Sequence, residues 1–125
     1  MTYDDYNSFC AALPATTYVV QWGGSHVWKV GGKVFCIGAG TEKAPAYSFK
    51  VSEIAFMALP EKPGFRPAPY LASRGLKWIE AEGRRVERDE LRELIVASHR
   101  LVAAGLTRKA RRELGLEENA LGYRT

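Results

Sequence analysis

The sequence is short of the residues that build a metal site or a disulfide framework. Its 125 residues contain two cysteines, Cys10 and Cys36, and two histidines, His26 and His99. Both cysteines sit in apolar surroundings, Phe9 to Ala12 and Val34 to Ile37, and read as small buried hydrophobes, the ordinary place of a free cysteine. A metal centre needs more ligands close by, so no metal or other cofactor is expected. Long apolar runs are missing as well: none approaches the roughly 18 residues that a membrane helix requires. The start, Met1-Thr2-Tyr3-Asp4-Asp5, is acidic with no apolar stretch behind it. No signal peptide is expected, and the expected location is the cytoplasm. A nucleophile signature and a His-x-x-x-His spacing are also absent. Gly31-Gly32 and Gly38-Ala39-Gly40 lack the continuation of a phosphate-binding loop and read as turns. Glu80 and Glu82 share a strand face but lie beside arginines, as rim residues do. His99, next to Ser98 on a helix, reads as a half-buried packing residue. These absences identify no chemical reaction, and the expectation is a binding protein rather than an enzyme.

What is present is the composition of an ordinary globule, 46% hydrophobic and 26% charged. At this length a chain hides about two-thirds of its unfolded surface and needs no metal or disulfide to be stable. Tyr6, Phe9, Cys10 and Leu13 recur at helical spacing before Pro14, which predicts a helix over residues 3–13. From Thr16 the period changes to two, and β-branched and aromatic residues dominate as far as Gly23-Gly24. Residues 26–30, Gly31-Gly32 and residues 33–37 predict a β-hairpin. Its simplest register pairs Val30 with Lys33, Trp28 with Phe35 and His26 with Ile37 on one face, leaving Val27, Lys29, Val34 and Cys36 on the other.

A loop over residues 38–45 and a strand over 46–51 follow. Ser52 is a good N-cap for a short helix closed by Pro60. Residues 63–70, with three prolines and a glycine, predict a stiff extended loop that is ordered but adds little to sheet hydrogen bonding. A strand around Trp78, a second hairpin turn at residues 82–85 with Val86 returning, and a long helix over 88–104 complete the core, with Gly105 as its C′ glycine. Thr107 caps a last short helix, stopped by Gly115. The order predicts one α+β domain over residues 1–115, an antiparallel sheet with helices at both ends packed on it, and a loose tail over 116–125.

Several of these segments together resemble the MmcQ/YjbR family. They are Trp22-Gly23, residues 26–35, Phe49-Lys50-Val51, residues 64–71, Trp78-Ile79, Leu91 to Leu94 and Ser98 to Leu106, so the likeness spans about residues 5–110. His99 departs from the aromatic residue that the family usually carries after the serine. The resemblance implies a two-layer α+β fold like that of frataxin-type or secretion-chaperone-like domains, and a DNA-binding role through a double-wing motif.

Charge, counted independently, is uneven. Residues 1–62 hold five lysines and five acids, while residues 63–125 hold thirteen Lys+Arg and nine acids. The whole excess of +4 therefore lies in the second half. Arg66, Arg74, Lys77, Arg84 and Arg85 meet only Glu80 and Glu82 across residues 64–85, and Arg108, Lys109, Arg111 and Arg112 form a purely basic patch. Cations beside a glycine turn suit a wing that contacts phosphates. Lys29 and Lys33 flank Gly31-Gly32, and Arg84 and Arg85 follow Gly83. Trp28, Phe35, Trp78 and Tyr70 have the type that stacks on unpaired bases, yet at strand spacing in so short a chain they read as core. Two functions from different classes follow for an expected monomer: nucleic-acid binding through these cations, or a protein- or ligand-binding adaptor built on the rigid Arg66–Tyr70 loop and its aromatic neighbours.

Overall fold

Gly31 and Gly32 both take positive φ, 58° and 79°, and so close the two-residue turn that the sequence predicts between β2 (Ser25–Val30) and β3 (Lys33–Gly40). The structure, a computed structural model, describes residues 1–116. A helix, α1 (Tyr3–Ala11), leads into β1 (Thr16–Gln21), then come β2 and β3, and after them β4 (Pro45–Lys50), α2 (Glu53–Ala58), β5 (Phe65–Pro67), β6 (Trp78–Glu82), α3 (Arg88–Ala104) and α4 (Arg108–Glu113). The strands form one antiparallel sheet in the order β1-β2-β3-β4-β6-β5. Helices at both ends pack against it, the α+β architecture that the element order predicts.

The hairpin register differs from the simplest one. Val30 faces Lys33 and Lys29 faces Val34, but Trp28 then faces Cys36, Val27 faces Ile37 and His26 faces Gly38. Phe35 is the extra residue of a β-bulge. The bulge lets two consecutive side chains, Phe35 and Cys36, both reach the core, and both are fully buried. Ile37 is displaced to the opposite face. Ser98 on α3 secures the irregularity: its hydroxyl donates to the Phe35 carbonyl at 2.6 Å and accepts from the Lys50 N–H at 2.9 Å. One buried hydroxyl thus ties α3 to β3 and β4.

The core lies between the sheet and the helices. Tyr6 and Cys10 of α1, Tyr47 and Phe49 of β4, Ile79 of β6, and Leu91 and Ile95 of α3 are all fully buried in one cluster. Tyr6 occupies the space where Gly38 would carry a Cβ, 2.7 Å away, and its hydroxyl donates to the His26 carbonyl. Burial raises the pKa of Tyr6, with Cys36 and Cys10 adding to the effect. Burial also pushes the Cys10 thiol up, beside Cys36.

Caps fall where the sequence places them. The Ser52 hydroxyl accepts from the Ala55 N–H and the Thr107 hydroxyl from the Ala110 N–H. Other expectations are corrected. The loop after β3 is confined to residues 41–44. The proline segment is not free of regular structure, because Phe65–Pro67 pairs with β6 as an edge strand, where a missing proline N–H costs nothing. Residues 82–85 do not turn a second hairpin. Val86 buries its side chain in the core and the chain enters α3 directly. Gly105 keeps a right-handed φ of −81°, so α3 ends without a left-handed cap. Leu116, expected in the loose tail, is buried in the core cluster, and the rest of that tail, residues 117–125, lies outside the described residues.

Two predictions follow from this packing. Replacing Ser98 by alanine removes the Lys50 acceptor and the Phe35 donor together, and is expected to cost about 1–3 kcal/mol in urea unfolding. The second concerns His99, which is buried with its ring edge-on to Phe35 at 5.0 Å and its Nε2 2.9 Å from the Pro14 carbonyl. Burial lowers its pKa, Arg100 adding to this and the Pro14 hydrogen bond opposing it. Below the ordinary value of 6.5 the unfolded chain therefore takes up a proton that the folded chain refuses. This contribution to stability is complete above that value and declines as pH falls towards the lowered folded pKa, at about 1.4 kcal/mol per unit of depression. The urea midpoint is expected to drop between about pH 7.5 and 5.5, and His99→Phe to flatten that dependence.

Candidate nucleic-acid interface

The cations singled out in the sequence fall at opposite ends of the sheet. β3 spans eight residues, so its ends are about 25 Å apart. At one end is the Gly31-Gly32 turn. A Cβ on Gly31 would meet Leu106 Cδ1 at 2.6 Å, so the turn lies directly against the segment that joins α3 to α4. This close contact brings Lys33 and the basic helix α4 to one end of the molecule. Lys29 stands on the sheet face away from the helices, opposite Thr17 and Val34, and is half-buried.

Within α4 the four basic residues do different things. Arg111 turns inward and donates through one guanidinium nitrogen to the carbonyls of Ala104 and Leu106, at 3.0 and 2.7 Å. It thereby takes up the last carbonyl of α3, while the Gly105 and Leu106 N–H groups take those of Val102 and Ala103. Arg108, Lys109 and Arg112 are exposed. Neither they nor Lys33 has an ion-pair partner among the described residues. Lys50, which the sequence reading missed, also lies at this end of the sheet. Its position at the close of an alternating strand carries no signal of where that strand ends in space.

At the far end the arginines are already engaged. Arg66 donates from two nitrogens to one Glu80 oxygen, at 2.8 and 2.6 Å. Arg85 pairs with Glu82 at 2.8 Å, and Arg84 donates to the Lys43 carbonyl at 3.0 Å. Arg66, Glu80, Glu82, Arg84 and Lys43 line a cleft of about 440 Å³ of mixed charge. Glu80 and Glu82 are rim residues beside arginines, as the sequence implies. Arg74 is exposed in a 3-10 turn (Ala72–Arg74); Lys77 adjoins Trp78, which faces Lys50, so it lies at the Gly31-Gly32 end instead, its ammonium over the Phe56 ring at 5.0 Å.

The aromatic residues divide cleanly. Trp28, Phe35 and Trp78 are buried, and the Trp28 indole donates to Asn7 Oδ1, so none of them presents a stacking face. Tyr70 is exposed, as is Trp22. On the Arg66–Tyr70 loop Arg66 is held by Glu80 and Ala68 is buried, while Pro67, Pro69 and Tyr70 are exposed. A different apolar surface lies between α2 and α3: a groove of about 470 Å³ lined by Val51, Ala55, Leu94, Ala97 and Leu101, with Lys50 and Arg100 at its rim. No helix among the described residues is long and apolar enough to cross a membrane.

Known proteins share this architecture. The chain is 26% identical to Deinococcus radiodurans protein DR2400, whose crystal structure is described as a DUF419 domain; the two superpose with a TM-score of 0.81 over 94% of this chain and 90% of that one. A Pseudomonas syringae protein of known structure is 18% identical and shares the fold, with a TM-score of 0.68 over 82% of this chain and 99% of that one. No curated protein matches the sequence. The YjbR family profile matches residues 11–101, a span that includes the whole sheet and most of α3, and by that match the chain belongs to the YjbR family.

Proposed function

We propose that this chain is a binding domain that takes nucleic acid without sequence preference, through the surface formed by the β2–β3 turn and α4. The observation that supports the reading is the seating of Leu106 on Gly31, which brings the turn that precedes Lys33 against the segment that leads into α4; Lys33, Arg108, Lys109 and Arg112 are all exposed and without acidic partners among the described residues. Glu113 is the one acid on α4. Phosphates gain most where cations are not already neutralised, since each contact releases a condensed counterion. The Arg84–Arg85 turn contributes less on this reading, because Arg85 is paired with Glu82 and the Arg84 guanidinium is held by the Lys43 carbonyl. Flexible lysines and arginines at a turn and a short helix position a backbone but do not read base edges.

An adaptor role has one supporting observation. α2 has no buried residue and exposes Ile54 and Met57 beside the apolar α2–α3 groove. Salt separates the two readings, since an apolar surface responds weakly to it.

Fluorescence anisotropy with short duplex and single-stranded oligonucleotides tests the proposal. With four phosphate contacts, log K against log salt is expected to fall with a slope of about −3.6 on duplex DNA, at about −0.9 per contact. Arg108→Ala with Lys109→Ala is expected to flatten that slope by about 1.8 and weaken all sequences alike. Arg84→Ala with Arg85→Ala is expected to leave it nearly unchanged. No binding at low salt, or binding indifferent to salt, overturns the reading.

A further inference from the structure

A sheet edge presents a row of unpaired N–H and C=O groups, which folded proteins normally blunt with charge, proline, bulges or short length. The two edges of this sheet are treated very differently. β5 has three residues, ends in Pro67, and carries Arg66 pinned to Glu80. β1 has six residues, Thr-Thr-Tyr-Val-Val-Gln, with no charge, no proline and no irregularity in its pairing with β2. Among the described residues nothing hydrogen-bonds to the backbone on its outer side. Tyr18 and Val20, on the helix side of β1, remain 43% and 52% exposed, and Trp22 at the strand's end is 62% exposed. Trp22 also holds φ at 53°, a left-handed backbone rare for a bulky side chain.

We propose that β1 is a homodimer seam, pairing antiparallel with β1 of a second copy about a two-fold axis at Val19. The occupant is read from the strand's own pattern. Centring on Val19 sets Tyr18 beside the partner's Val20 and Thr17 beside the partner's Gln21. Apolar then meets apolar on the helix side, and polar meets polar on the open side. Centring on Tyr18 instead sets Thr17 against the partner's Val19, and centring on Val20 sets Gln21 there. Both place polar against apolar on a shared face. An uncharged strand offers no steering to a charged peptide, whereas it is complementary to itself, as an isologous contact requires. The seam joins two sheets into one and removes the exposed edge from each. A single strand pairing buries less than the ~800 Å² per subunit of a standard interface, so the dimer is weak and its population rises with concentration.

Sedimentation velocity of the intact chain over a concentration series tests this, with far-UV circular dichroism to confirm folding. The wild type is expected to pass from monomer to dimer. Thr17→Lys with Gln21→Lys opposes like charges across the seam and is expected to weaken dimerisation at least tenfold. Thr17→Glu with Gln21→Lys places each new acid beside a new base of the partner and is expected to dimerise at least as well as wild type. Under mild oxidation Val19→Cys is expected to cross-link to its own copy, since facing Cα atoms in an antiparallel pair lie about 4.5–5.5 Å apart. Thr17→Cys is not, because its own copy lies about 13 Å away along the strand. A wild type that stays monomeric at every concentration overturns the seam. So does equal behaviour of the two double variants, failure of Val19→Cys to cross-link, or cross-linking of Thr17→Cys to the same extent.

Discussion

The packing of both layers depends on the bulge at Phe35 and on the hydroxyl that holds it. A regular β2–β3 ladder sends alternate side chains to opposite faces, so Phe35 and Cys36 cannot both reach the helices. The extra residue allows it and re-phases β3, placing Gly38 under the Tyr6 ring, where no side chain fits. Beyond the Cys36–Phe49 pair the Ser98 hydroxyl bridges β3 and β4, donating to the Phe35 carbonyl while receiving the Lys50 N–H. The rotation of α3 about its own axis is set by this contact. His99, the next residue, is thereby turned against Phe35 and the Pro14 carbonyl.

That placement of α3 also arranges the charge. α3 carries its acids in the first turns and runs towards the Gly31-Gly32 turn, where it ends against Leu106. The four basic residues of α4 therefore follow directly on the segment that packs against the Gly31-Gly32 turn. One of them, Arg111, caps the carbonyls of α3 and belongs to the fold, while its neighbours face solvent. At the other end of the sheet an equal density of arginine is offset by Glu80 and Glu82. Exposed pairs of this kind add little to stability, about 0–1 kcal/mol, but they weaken the local field that would draw in a polyanion. Two basic segments of similar composition thus differ in what they offer a phosphate backbone.

Much of the architecture was legible in the sequence because local chemistry decides it. Gly31-Gly32 closes a turn, Ser52 and Thr107 cap helices, and the period of α3 is plain from Leu91, Ile95, Ser98 and Val102. These signals act within a few residues of the chain. The proline segment and residues 82–85 misled for a related reason. Pro67 is compatible with an edge strand as well as with a loop, and Gly83-Arg84-Arg85 suits a turn whether a strand or a helix follows.

By itself, then, the sequence determined the fold class, the principal hairpin, the ends of the long helix and the excess of positive charge in the second half. The tertiary structure alone decided which cations are free and which are spent. Ion pairing between Arg66 and Glu80, or capping of α3 by Arg111, depends on which elements are brought alongside one another. The same holds for the bulge, since an alternating pattern reads equally well with one residue more or less until the helix that covers it is in place. It holds too for the edge at β1, which is bare among the described residues, because a strand is an edge only when nothing is laid beside it.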